Sequence, residues 1–121
     1  MNTAQAIHSF WSSFGLPAYD QYTVPLEAQM PYITYSVSEN AFNVPTAMSA
    51  SIWYRSPSWE KITLKSYEIA RTLSAGGKVI RVDGGGMWIY KGTPFSQRMS
   101  DTDDTVRRIV LNITVEYFTD Y

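Results

Sequence analysis

Between Thr3 and Phe14 the apolar residues Ala4, Ile7, Phe10, Trp11 and Phe14 recur at steps of three and four, the spacing that lines side chains along one side of a helix. Thr3 is placed to cap that helix and Gly15 to end it. Leu16 to Pro31 holds Pro17, Pro25 and Pro31, each lacking the amide proton that a helix or a central strand needs, so an extended, irregular crossing segment is expected. The pattern then changes period. From Tyr32 to Ser38, Ile33, Tyr35 and Val37 alternate with Thr34, Ser36 and Ser38; from Ser49 to Arg55, Ala50, Ile52 and Tyr54 alternate with Ser49, Ser51, Trp53 and Arg55. A period of two marks strands with one buried face, and the two are expected to pair antiparallel. The connection from Glu39 to Met48 is longer than a tight hairpin needs, which makes it a candidate contact loop with Phe42 at an exposed tip.

Ser56-Pro57 offers a cap followed by proline at the first helical position, and Glu60 sets negative charge near the positive end of a helix dipole. A second helix is predicted from there to Gly76-Gly77, with Trp59, Ile62, Ile69 and Leu73 as its apolar stripe, Tyr67 and Ala70 beside it, and Lys61, Lys65, Glu68 and Arg71 in water. Lys78 to Val82 and Met87 to Lys91 read as strands joined through Asp83-Gly84-Gly85-Gly86, whose glycines supply the positive φ of a tight reversal. A glycine-rich loop also suggests phosphate, but this one links two strands and no Lys-Ser/Thr pair follows it. Pro94 to Thr105 reads as a loop. The last strand is the clearest, with Ile109, Leu111, Ile113, Val115 and Tyr117 alternating against Arg108, Val110, Asn112, Thr114 and Glu116, and it is expected either near the centre of the sheet or extending beyond it. The fold class is therefore α+β: a single, mostly antiparallel sheet with two helices packed on one face, in the order α-β-β-α-β-β-β.

Composition adds a reason to look outward. A chain of 121 residues suits one domain, 1–121, with one core. Apolar residues make up 45% and charged ones 17%, against a usual charged share of about 25%, so some apolar surface is expected to meet another chain. The nine Tyr, four Trp and five Phe fit that expectation, since rings with a polar edge suit surfaces that are wet alone and dry in a complex. For any one ring, a place in the core is the competing reading.

Charge and reactive groups narrow the function classes. Ten Lys and Arg against eleven Asp and Glu leave a formal charge of −1, without the basic footprint of a dedicated nucleic-acid binder. With no cysteine and only His8 there is no disulfide framework, thiolate or histidine metal set. The start of the chain lacks the basic and apolar regions of a secretion signal, and no run of about 18 apolar residues occurs, so neither export by signal peptide nor a membrane span is expected. Asp101-Thr102-Asp103-Asp104 has oxygens of the kind calcium takes, but it lacks the glycine and distal glutamate of an EF-hand, so a solvated loop is the expected outcome. No serine lies in a nucleophile-elbow pattern, and catalytic, cofactor and metal residues are all assigned as none. Lys78, Arg81, Lys91, Arg107 and Arg108 gather on the last three strands beside Asp101, Asp103 and Asp104. That is either a solvated face or a subunit whose two sides carry opposite charge.

The N-terminal amphipathic helix, the proline-punctuated crossover, PYITYSVSEN at 31–40, SASIWYRSPSW at 49–59, the DGGG hairpin and RRIVLNITVEYF at 107–118 together resemble the small tail-completion (tail terminator) proteins of long-tailed siphophages. The resemblance covers nearly the whole chain and rests on order and texture. It implies a homo-oligomeric ring, usually a hexamer, that sits on the finished tail tube, stops its growth and joins it to the head. The implied partners are the tail tube protein and a head-tail connector protein, without cofactor, membrane or specific nucleic acid. The implied location is the virion, after assembly in the host cytoplasm. On that expectation Phe42, Trp53, Arg55, Arg107, Arg108, Asp101 and Asp103 are the candidate contact residues, with Phe42 and Trp53 as aromatic anchors. The alternatives are a head-completion or stopper protein of the same particle, and a small ligand- or peptide-binding domain with a pocket between helix and sheet. A weak hydrolase using Asp101 or Asp103 is a further alternative.

Overall fold

The first helix, α1 (Thr3–Ser12), starts on a capping box one residue earlier than the spacing alone suggested. Asn2 rather than Thr3 is the cap: its side chain accepts from the Gln5 amide at 2.8 Å, and the Gln5 side chain accepts from the Asn2 amide at 2.9 Å. Ala6, Ile7, Phe10 and Trp11 are buried along α1, and Phe14 just beyond it; Ala4 lies on the wet side and Ala6 takes its place. Phe10 meets Trp11 and Phe14 edge-on with centroids 4.8 and 5.4 Å apart, a geometry that ring quadrupoles favour.

A computed structural model of the chain describes residues 1–119. After α1 the strands are β1 (Ala18–Asp20), β2 (Tyr32–Tyr35) and β3 (Thr46–Arg55); helix α2 (Glu60–Leu73) follows, then β4 (Lys78–Val82), β5 (Gly85–Met99) and β6 (Val106–Thr119). They form one six-stranded sheet in the order β1-β2-β3-β6-β5-β4. Every neighbouring pair is antiparallel except β1 with β2, so the sheet is mixed, and β6 is central as its long alternation implied. Both helices pack on the same face, where Ile62, Ile69 and Leu73 of α2 join Ile33, Ile52, Ile89, Leu111 and Ile113 in one core with the α1 residues. Because α1 touches both β1 and β4, the strands at opposite margins, the sheet curls around that helix.

Several boundaries move, each for a local reason. Strand β1 lies in the proline-rich crossover and pairs Ala18 with Ile33, so that stretch is not wholly irregular. Strand β2 stops at Tyr35 instead of Ser38, and β3 begins at Thr46, so the connection shifts from Glu39–Met48 to residues 36–45 without changing length. Helix α2 starts at Glu60 rather than at Ser56-Pro57. The Ser56 hydroxyl accepts from the Ser58 amide and the Ser58 hydroxyl from the Glu60 amide, two turn bonds that delay the first helical residue. Lys65 is not in water: its side chain is 17% exposed and Nζ donates to the Phe14 carbonyl at 2.7 Å, just past the end of α1. Tyr67, expected beside the stripe, is 56% exposed, and Ser66 occupies the buried position.

The β4–β5 reversal needs only Asp83 and Gly84, with Gly84 at φ +79; Val82 already faces Gly85 across the hairpin. Gly85 and Gly86 belong to the strand. A Cβ at Gly85 would overlap the Phe118 carbonyl oxygen and one at Gly86 the Phe118 ring, so it is close approach by β6 that requires glycine. Strand β5 also runs through Pro94 to Met99 instead of ending at Lys91. A register shift between Lys91 and Ser96 absorbs the proline, and the Pro94–Thr105 loop shrinks to residues 100–105.

Candidate functional site

Two helices cover one face of the sheet, and the register fixes what stands on the other. Tyr32 faces Trp53 and Trp53 faces Arg108; Thr34 faces Ser51 and Ser51 faces Val110; Tyr90 faces Thr114 and Trp88 faces Glu116. All point away from Ile33, Ile52 and Ile109 and so away from the core. Among the described residues no helix packs over this face.

Side chains on this open face are ordered by one another. Tyr19, Tyr32 and Trp53 form a ladder with centroids 5.7 and 6.4 Å apart, and the Arg108 guanidinium lies 4.7 Å over the Trp53 ring. Trp53 Nε1 donates to Thr34 Oγ1 at 2.9 Å and Arg108 Nε to Ser51 Oγ at 3.0 Å. Beneath that lid Thr34 and Ser51 are only 9% and 5% exposed, although no second layer of backbone covers them. Across β6, the Trp88 and Tyr90 rings lie tilted against each other with centroids 4.3 Å apart, and Tyr90 Oη donates to Glu116 Oε2 at 2.6 Å. That bond, then burial and the Glu116 charge, push the Tyr90 phenol above its ordinary pKa. The result is a firm surface of rings with a cation near one end of β6 and a carboxylate near the other. Such a surface suits protein contact: large, pre-ordered rings lose little freedom when covered.

The other candidate residues fall at two opposite ends of the strands. At the β5–β6 turn, Arg55 Nη1 meets Asp103 Oδ2 at 3.0 Å and Thr105 Oγ1 at 2.8 Å. Asp103 Oδ1 accepts from the Thr105 amide and hydroxyl at 2.9 and 2.7 Å, and these bonds, with Arg55, lower the carboxyl to about 2. Arg107 donates to the carbonyls of Asp104 and Pro57 at 2.8 and 3.0 Å, and with Arg98 it brackets the Trp59 ring, at 5.5 and 4.7 Å. The acidic loop thus lies against Arg55 and Arg107; it is no opposite pole to the basic residues. Asp101 serves the turn by accepting from the Asp103 amide at 3.0 Å. Among the described residues no group of three or more carboxylates and histidines is arranged to hold a metal ion.

Phe42 sits at the far end, 60% exposed, apart from Trp53. Its loop is tied to β6 twice: the Asn43 amide donates to the Tyr117 carbonyl at 2.9 Å, and Tyr117 Oη donates to the Ser38 carbonyl at 2.8 Å. Burial and the Glu39 charge push the Tyr117 phenol up to about 12. A cleft of about 210 Å³ opens there between Phe42, Glu39, Asp83 and Phe118. His8, outside both ends, bonds through Nδ1 to Tyr35 Oη at 2.9 Å and through Nε2 to Ser12 Oγ at 3.3 Å, a boundary role.

Of the expected contact residues, then, Trp53 and Arg108 stand together on the open face, Arg55, Arg107, Asp101 and Asp103 form one end, and Phe42 the other. Tyr19, Tyr32, Trp88, Tyr90 and Glu116 complete the open face, and the sequence alone does not single them out. Their signal is present in the alternation of each strand, but only cross-strand register shows that they share a surface.

No protein-family model matches this sequence, and neither does any curated protein. Among solved structures the chain is similar to one from a structure titled "Virion of native gene transfer agent (GTA) particle", with a TM-score of 0.51 and 12% sequence identity over 89% of this chain and 83% of that one. At that identity the likeness is one of fold: helices on one face of a single curled sheet.

Proposed function

We propose that this chain is a non-enzymatic structural subunit of a virion, and specifically a tail-completion subunit. Copies close into a ring, usually of six in the family it resembles, at the end of a phage tail tube, stop tube growth and join the tail to the head. The observation that carries the reading is the open sheet face, where Trp53, Arg108, Tyr32, Trp88 and Tyr90 are ordered without a covering layer. A second layer contributed by another chain of the particle completes the packing. The fold likeness to a chain from a gene transfer agent virion supports the same reading. On the helix side, by contrast, fully buried residues such as Trp11, Ile62, Ile69 and Leu111 fill the space between helices and sheet, which disfavours a ligand domain with its pocket there.

Deletion of the gene, complemented with Trp53→Asp or with the unchanged chain, tests the role. Tails in the deletion strain are expected to be over-long and headless. The unchanged chain restores normal length, and Trp53→Asp does not. Normal tails without the chain, with heads unable to attach, point instead to a stopper on the head side. Normal, infectious particles without it contradict a structural role altogether.

A further inference from the structure

At the start of α2, outside the core and apart from the open face, a shallow groove of about 310 Å³ is lined by Ser58, Trp59, Glu60, Thr63, Leu64 and Arg98. Register brings Arg98 there: it stands opposite Ile109, a core residue, and so on the helix side of the sheet. Its guanidinium lies 4.7 Å over the Trp59 ring, and that of Arg107 lies 5.5 Å from the same ring. Neither is neutralised. Among the described residues Arg107 donates to the carbonyls of Asp104, Val106 and Pro57, and its enclosed Nε has no partner. Arg55 and Lys65 each meet a carboxylate, whereas among the described residues Arg98 and Arg107 meet none. Thr63 Oγ1, on the wall of the groove, is enclosed and likewise without a hydrogen-bond partner among the described residues, and Leu64 beside it is 59% exposed. Two like charges against one ring repel, and a hydroxyl shut away from solvent costs free energy until a partner reaches it.

We propose that this groove binds an acidic segment of another protein, with a carboxylate on Arg98 and the adjoining aliphatic side chain on Leu64 and the Trp59 ring. A guanidinium already laid on a ring is held ready to take both oxygens of a carboxylate, with little freedom left to lose. Leu64 and Trp59 supply the apolar area for the next side chain, and the Thr63 hydroxyl supplies a further donor. Nucleic acid fits less well. The β5–β6 turn with Asp101, Asp103 and Asp104 adjoins the groove, since Arg107 ties the Asp104 carbonyl to the Trp59 ring. A row of phosphates laid here runs past those acids and Glu60, whereas one carboxylate beside an aliphatic group meets Arg98 alone. Glu60 is the groove's own acid and opposes the proposed ligand. The two charges therefore act on binding with opposite signs.

Titration of the full, isotope-labelled chain with a capped five-residue peptide that alternates leucine with aspartate tests this, read by amide and indole NMR signals. The same peptide with asparagine in place of aspartate is the uncharged control. The acidic peptide is expected to move the signals of Ser58 to Leu64, the Trp59 indole included, and the control to bind about tenfold or more weakly. Arg98→Ala is expected to weaken the acidic peptide about tenfold, and Glu60→Gln to strengthen it about twofold. Both side chains are exposed, and the amide spectra show that each variant keeps the fold. Raising salt from about 0.1 M to about 1 M is expected to weaken the acidic peptide. Equal binding of the two peptides, an Arg98→Ala chain that binds like the unchanged one, or signals that move around Trp53 instead overturns the proposal. So does an oligothymidylate that moves the groove signals at lower concentration than the peptide, which marks nucleic acid as the occupant. Groove signals that move with protein concentration alone mark a second copy of this chain and overturn it equally.

Discussion

A Cβ at Gly85 would overlap a backbone oxygen of β6, whereas one at Gly84 would meet nothing within 4 Å but would have to adopt φ +79. The two glycines of one motif therefore answer to different physics. Gly84→Ala is expected to cost about 1 kcal/mol, the strain of a left-handed residue, and Gly85→Ala about 3 kcal/mol, because backbone has to move. Urea denaturation of both variants checks the order, and equal losses would contradict it. Asp103 offers a pH signature. Its folded pKa of about 2 lies below the ordinary 3.8, so the stability it contributes is complete above about pH 4 and is lost as pH falls toward 2. Asp103→Asn, with both carboxylate acceptors reduced to one, is expected to flatten the acid limb of the stability curve in that window and leave the limb above about pH 5 parallel to the unchanged chain's. A parallel acid limb would remove Asp103 from the account.

At the scale of elements, what is readable depends on whether a segment's order is local. Helix α1, the β2–β3 pair, β4 and β6 each carry their period within a few residues, and each forms in the segment where the pattern puts it, although β2 ends and β3 begins three residues earlier than expected. Strand β1 is three residues long and its support is the distant Ile33–Tyr35 of β2, so nothing local announces it. The sequence pattern ends β5 at Lys91 and reads Pro94–Thr105 as a loop; a register shift lets the strand continue to Met99, with Asn112 Nδ2 donating to the Pro94 carbonyl at 2.9 Å. The contact loop gives a prediction at this scale. Tyr117→Phe removes one of its two ties to β6, the bond to the Ser38 carbonyl. It is expected to cost about 1 kcal/mol and to speed amide exchange around Asn40 to Asn43, with the core strands unaffected. Exchange unchanged in the loop would show that the Asn43 amide bond alone holds it. For α1, Asn2→Ala removes the cap and is expected to lower stability by about 1 kcal/mol in thermal unfolding.

For the whole molecule, the contrast is between a helix-covered face packed with fully buried side chains and an open face finished with rings and hydrogen bonds alone. The scarcity of charge and wealth of rings in the sequence point outward without saying where; the register of six strands gathers Tyr19, Tyr32, Trp53, Trp88 and Tyr90 on that one face. Individual candidates follow the same logic. Trp53 and Arg108 are legible because they alternate outward on strongly periodic strands, while Asp103 and Arg55, candidate contacts in the sequence, bond first to each other. The most direct measurement uses the absence of cysteine from the sequence. Thr114→Cys places a single thiol at the centre of the open face, and Lys61→Cys places one on the exposed side of α2. Labelling rates are compared between the free chain and purified virions. The account predicts that both thiols react in the free chain, and that in virions Thr114→Cys is protected while Lys61→Cys still reacts. Equal reactivity of Thr114→Cys in the two states, or absence of the chain from purified virions, would contradict it.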